Sequence, residues 1–253
     1  MSLETDTRIN KSKTLLINWL ASRVNADGLA WLTQQVEKME DSVSAKKILF
    51  SSFSAVPRYL GKEKLHLSIE ELQTANELIE GWVPINWTCE QAGRTLLLLS
   101  FPHRDREQYR TVLDRIVTSA DVGEAIAFYQ SLALLPCPEE FQMQAAEGIR
   151  TNMTSVFNAV ALDNPYPANY LDDLAWNQMV LKALFVGSPL HRIYGLERRN
   201  NQKLSQMLVD YASERLAANR TVNSELWELA MPFQAEAVAK LKSISTVASS
   251  HTV

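Results

Sequence analysis

Apolar residues recur at spacings of three and four along nearly the whole chain, with polar residues filling the gaps, which is the period of a helix face and not of a strand. The pattern predicts helices over about 9–23, 28–40, 43–60, 69–80, 89–100, 104–118, 122–135, 139–162, 168–186, 189–195, 201–219 and 224–243. Starts are marked by capping boxes at Ser68 with Glu71, Thr88 with Gln91 and Asp121 with Glu124. Pro138, followed by Glu139 and Glu140, and Pro189 fit first helical turns, where a proline sacrifices no bond and acids complement the helix dipole. Only eight glycines occur, and the nine prolines fall mostly between periodic segments, so strands have almost no support.

Many helices joined by short loops imply an all-α fold. Two architectures fit it: an irregular, HEAT-like α-solenoid, or a multi-helix bundle of antiparallel helices. No exact repeat period supports a regular ankyrin or tetratricopeptide array. The expected organisation is one helical domain over 1–243, with sub-halves at 1–135 and 136–243, and a small, polar, fraying tail over 244–253.

Within Arg150 to Arg220, polar groups interrupt rows that should be apolar. Arg150 falls on the row Ala146, Met153, Phe157, and Asn152 lies between Ile149 and Val156. Asn177 sits on the row Tyr170, Leu174, Leu181, Leu184, beside Trp176. Arg215 continues the row Leu204, Leu208, Tyr211, while Asp210 and Glu214 share an adjacent face. Burying such groups costs free energy unless each finds a partner. One reading is a pocket in which Arg150, Asn152, Asn177 and Arg215 bind an anionic or polar ligand against Trp176 or Tyr211, with His191 nearby. The other is internal pairing of Arg150 or Arg215 with Asp210 or Glu214, the asparagines capping or bridging helix ends. Asp210 and Glu214 also have the spacing of an acid–base pair, although such pairs are mostly solvated helix faces.

The four histidines form no H-x-x-x-H or H-E-x-x-H pattern, so no metal site and no cofactor is expected. No G-x-S-x-G, P-loop or G-x-G-x-x-G occurs, which removes the usual serine hydrolase, nucleotide triphosphatase and dinucleotide readings. Arg192, Arg198 and Arg199 fit either a phosphate contact or a solvated turn paired with Glu197. The loop GWVPINW, Gly81 to Trp87, fits a partner contact or packing back onto the helices.

Across 253 residues, 46% hydrophobic and 21% charged is ordinary globular usage, with ample length for a core. A net charge of −4 gives no global attraction to nucleic acid, so none is expected as a partner. Cys89 and Cys137 form no C-x-x-C arrangement. No run of about 18 apolar residues and no credible secretion signal occurs, so the chain is expected to be cytoplasmic and not an integral membrane protein.

The stretch from Arg150 to Arg220, followed by SELWELAMPF, resembles the C-terminal half of the EboA family, and FSAVPRYLGK (53–62) with WTCEQAGRTLLLLS (87–100) resembles its N-terminal half. The resemblance implies a place in a bacterial and algal-plastid gene cluster beside a UbiA-like prenyltransferase, a TatD-like metal hydrolase and sugar-phosphate-type enzymes, linked to moving secondary-metabolite precursors out of the cytoplasm. It implies no catalytic residue. The family pattern has Trp where this chain has Leu216, which weakens any aromatic role there. The expectation is a non-enzymatic adaptor or small-molecule carrier, with a metabolite precursor and other proteins of the cluster as partners, including a membrane prenyltransferase-like protein. The alternative is an enzyme acting on a polar or phosphorylated precursor through the Arg, Asn and carboxylate groups.

Overall fold

The computed structural model describes residues 3–40 and 43–250, with side chains described over 4–40 and 43–243. Thirteen α-helices are described: α1 (Leu3–Ala21), α2 (Ala26–Glu40), α3 (Ala45–Leu60), α4 (Ile69–Leu78), α5 (Cys89–Ser100), α6 (Arg106–Thr118), α7 (Val122–Ser131), α8 (Gln142–Arg150), α9 (Thr154–Ala161), α10 (Tyr166–Tyr170), α11 (Asp173–Val186), α12 (Gln202–Ala217) and α13 (Ser224–Ser250). Short 3-10 turns cover Leu132–Leu134, Pro138–Phe141 and Leu190–Arg192. The fold is all-α; among the described residues extended pairing is limited to one isolated bridge between Lys64 and Thr88. The end of the expected tail, 251–253, lies outside the described residues.

All three predicted capping boxes form. Ser68, Thr88 and Asp121 each accept from the backbone N–H three residues on, and Glu71, Gln91 and Glu124 each return a bond to the cap's own N–H, supplying partners that the first turn lacks.

Two expected helices are broken. The predicted 139–162 helix becomes a 3-10 turn, α8 and α9, because the chain turns at Thr151–Met153, where the Thr151 hydroxyl accepts from the Met153 N–H at 3.2 Å. The predicted 168–186 helix splits between α10 and α11, where Asp172 caps the new start by accepting from the Ala175 N–H at 2.7 Å. The predicted 189–195 helix shrinks to a single 3-10 turn.

The chain divides into two compact units, one ending at Tyr170 and one beginning at Leu171. In the first, α2 packs on α3, α3 on α5, α5 on α7, and α7 on α9, with α1 also against α5. Helix α5 is buried along its whole length, an arrangement expected of a helix walled on all sides. Trp82 and Trp87 fold back into this unit: Trp82 sits 5.6 Å from Trp19 and 5.7 Å from Trp87 between ring centres, so the loop's indoles are core groups. In the second unit α12 packs on α13 and α11 on α12. Pro232 lies inside α13, and Gln234 departs from helical geometry (φ −135°, ψ 40°), so α13 kinks there, as a proline that lacks an N–H and crowds the preceding turn requires.

Candidate functional site

In the first unit, Arg150 and Asn152 are not interior groups. Arg150 ends α8 with its side chain 65% exposed and donates to Glu147 at 2.5 Å, and Asn152 is exposed in the turn that follows. The apolar row expected to hold them exists only if 139–162 is one helix. The break leaves Asn152 in an exposed turn, and α8 buries Ala145, Gly148 and Ile149 instead of the row of Arg150, which corrects the expectation that the two residues face the core.

The second unit holds the other predicted residues. Trp176 and Asn177 are fully buried in α11. Asn177 is consumed by a reciprocal pair with Asn201: its Nδ2 donates to Asn201 Oδ1 at 3.2 Å, and Asn201 Nδ2 donates back at 2.9 Å. Asn201 Oδ1 also caps α12 by accepting from the Leu204 N–H, so the two amides tie α11 to the start of α12. The Arg199 guanidinium stands 4.9 Å over the Trp176 ring while donating to the Leu171 carbonyl at 2.7 Å and to Asp173 at 2.6 Å. Arg199 is therefore a brace at the start of α11.

Arg215 and Tyr211 do meet. Arg215 is half-buried, donates through Nε to the Thr221 carbonyl at 2.6 Å and through Nη1 to the Tyr211 hydroxyl at 3.3 Å, and lies 5.7 Å over that ring. Its work is local: it fastens the loop after α12. Asp210 and Glu214 are exposed on α12, Asp210 accepting from Gln206 at 2.8 Å. Neither is placed as the expected partner of Arg215.

His191, one of the predicted positions, lines a cleft in this unit. The cleft, of about 560 Å³, is walled by Leu190, Leu196, Leu229, Pro232 and Phe233, with His191, Glu197, Asn200, Glu225 and Glu228 supplying polar groups. Glu225, in the first turn of α13, accepts from the backbone N–H of His191 at 2.9 Å and of Leu190 at 3.3 Å, and its Oε1 faces His191 Nδ1 at 3.0 Å. Burial presses the Glu225 pKa upward, but the backbone and side-chain bonds from His191 and the N–H of Leu190 outweigh it and hold the carboxyl below its ordinary value. Opposite, Asn200 donates to the Leu229 carbonyl at 2.7 Å, one residue after the Glu228 carbonyl that Pro232 deprives of its helical donor. The kink in α13 thus helps shape the cleft, and Glu225, His191 and Asn200 are held by these bonds before any ligand arrives. Its lining carries carboxylates and no Arg or Lys, so of the anionic or polar ligand expected it suits the polar kind and not the anionic.

Sequence reasoning passes over a nearly buried ion pair. Arg94 in α5 is 2% exposed, donates through Nη1 to Glu90 at 2.9 Å and through Nε to the Phe53 carbonyl at 3.0 Å, and lies 5.5 Å over the Phe53 ring. The signal is a Glu and an Arg four apart inside CEQAGRTLLLLS, a helix with no polar face to hold them. Among the described residues no group of three or more His, Cys, Asp or Glu side chains is placed to hold a metal ion.

Comparison with curated proteins and with solved structures gives no match. Residues 12–231 match the family model described as metabolite traffic protein EboA, and a match over that much of the 253 residues places this chain in the EboA family.

Proposed function

We propose that this protein is a non-enzymatic helical carrier that holds a small metabolite in the α13 cleft and serves as an adaptor in a secondary-metabolite precursor export or processing system. The observation that carries the reading is the cleft: an apolar wall of Leu190, Leu196, Leu229, Pro232 and Phe233 faced by polar groups, of which Glu225 and Asn200 are held in place, has the form of a small-molecule site. The family description, metabolite traffic, agrees with such a role. Asp210 and Glu214, which acid–base chemistry would use, lie exposed on α12, so the enzymatic alternative has no observation to carry it. The row α3, α5, α7, α9 supports an irregular solenoid for the first unit. A cytoplasmic site of action, with transfer to a membrane prenyltransferase-like protein of the same cluster, completes the proposal; among the described residues no helix is long and apolar enough to cross a membrane.

Hydrogen exchange of the purified protein, with and without a small-molecule extract of producing cells, tests the location. Added protection over residues 189–200 and 224–234 is expected. Protection confined to other segments, or none with any fraction, rejects the cleft as the binding site.

A further inference from the structure

A second cleft, in the first unit, is built from different chemistry. Arg8 of α1 is half-buried, with Nη1 donating to the Ala133 carbonyl at 2.7 Å and Nη2 to the Leu135 carbonyl at 2.9 Å. Those bonds occupy two of the five guanidinium donors and hold the group rigidly, but they bring no negative charge. Among the described residues no carboxylate lies within ion-pairing distance of Arg8; Glu139 acts on it only through space. Burial lowers the Arg8 pKa, against the opposing fields of Tyr170 and Glu139. A guanidinium stays protonated in spite of this, so the cleft holds a desolvated cation short of a counter-charge.

The cleft beside Arg8 measures about 350 Å³ and is also lined by Arg106, Glu139, Asn169 and Tyr170. Arg106 meets Glu139 at 3.4 Å and Glu140 at 3.8 Å, and it is 50% exposed, which makes a weak pair that an incoming anion can displace. The Tyr170 phenol is kept protonated at neutral pH, because burial raises its pKa with a smaller contribution from Glu139, against the lowering effect of Arg8. It therefore presents an O–H donor. Arg8, Arg106 and Glu139 leave the lining with one net positive charge. An adjoining groove shares Arg8 and Leu78 and adds Lys11 with Glu4 and Glu77, giving the rest of a ligand a mixed-charge surface.

We propose that this cleft is a binding subsite for a phosphate monoester, with Arg8 as the fixed anchor, Arg106 as the exchangeable second guanidinium and Tyr170 as a neutral donor. Planar guanidinium forks match the oxygens of a phosphoryl group, and two of them converging with a hydroxyl supply donors to several oxygens at once. The site is separate from the α13 cleft and does not depend on the carrier reading.

The test is a ³¹P NMR titration of phenyl phosphate with the full chain, repeated with Arg106→Gln and Tyr170→Phe, and with the exposed Arg110→Gln as a matched loss of surface charge. Saturable binding is expected, weakened about tenfold by Arg106→Gln and by Tyr170→Phe, as losing one bond to a charged group implies, and unchanged by Arg110→Gln. Arg8→Lys should abolish binding, but it also loosens the 133–135 turn, so the two rim variants are the decisive comparison. No saturable shift with folded wild-type protein, or wild-type affinity in either rim variant, overturns the proposal. Benzoate binding more tightly than phenyl phosphate overturns the phosphate assignment in favour of a carboxylate.

Discussion

Removing the guanidinium of Arg94 while Glu90 stays in place leaves a nearly buried carboxylate without its cation and the Phe53 carbonyl without its donor. Arg94→Met should therefore cost about 3–5 kcal/mol of stability, because the desolvation of both charges has already been incurred and only the compensation is lost. Pairing it with Glu90→Leu should recover much of that loss. Denaturant unfolding of the three proteins checks this, and a single variant no less stable than the double would contradict it. The candidate residues are only partly legible in the sequence. Asn177 reads as interior, and is, although Tyr170 of its row falls in α10 and Leu174 is exposed; its partner Asn201 lies 24 residues away and a pattern of spacings does not report such a pair. Asn152 is misplaced by the same pattern because its burial depends on helix continuity across the turn at Thr151, and Arg150 because it falls on the outer side of α8, while Ile149 and Phe157 on either side of the turn stay buried.

Helix starts are the most legible elements, since a capping box is written within four residues and its physics is local. Breaks and kinks are less so. Asp172 at the α11 start and the turn at 151–153 lie inside apolar-periodic stretches, where tertiary packing decides whether the chain runs on. The kink of α13 is a clear case of local chemistry with distant support. Pro232 takes away one helical donor, and the Leu229 carbonyl beside it is held by Asn200 at 2.7 Å and Ser205 at 3.3 Å. Asn200→Ala should cost about 0.5–1.5 kcal/mol, the worth of the bond removed, since the longer Ser205 bond stays on that carbonyl. It should also speed hydrogen exchange along 226–234 more than elsewhere, since the cleft wall loses its tether. Uniform acceleration across the chain would mean that Asn200 contributes to global stability alone.

At the scale of the whole molecule, four tyrosines hold their protons beyond the usual range near 10. Burial is the chief cause at Tyr109, Tyr129, Tyr166 and Tyr170, with Tyr129 pushed up to about 12. The Tyr109 and Tyr166 hydroxyls donate to the Leu98 and Pro138 carbonyls, bonds that exist only while the phenols are protonated. An acid whose folded pKa is raised gives stability that is fully present below its unfolded pKa and is lost as pH rises through the folded one. The contribution of these phenols should thus be flat below about pH 10, and stability should fall steeply between pH 10 and 12, with the phenols ionising together with loss of helicity. Ultraviolet titration followed in parallel with circular dichroism measures it; ionisation of all seven tyrosines with helicity intact would contradict the burial.

The all-α class and the absence of nucleotide motifs are legible at this scale, because helical periodicity and missing glycine loops are properties of the chain as written. The clefts are not, since each gathers residues from segments far apart: Arg8 with Arg106 and Tyr170, and Leu190 with Glu225 and Phe233. The claim that this EboA-family chain carries a small molecule without transforming it is tested most directly by native mass spectrometry. The purified protein and a Phe233→Ala, Leu196→Ala variant would each be incubated with extract from producing cells, and the bound species compared with the input. A retained organic mass that matches a component of the extract, released unaltered and lost in the variant, is the predicted result. No retained mass with the wild type, or release of a species chemically changed from the one that bound, would contradict it.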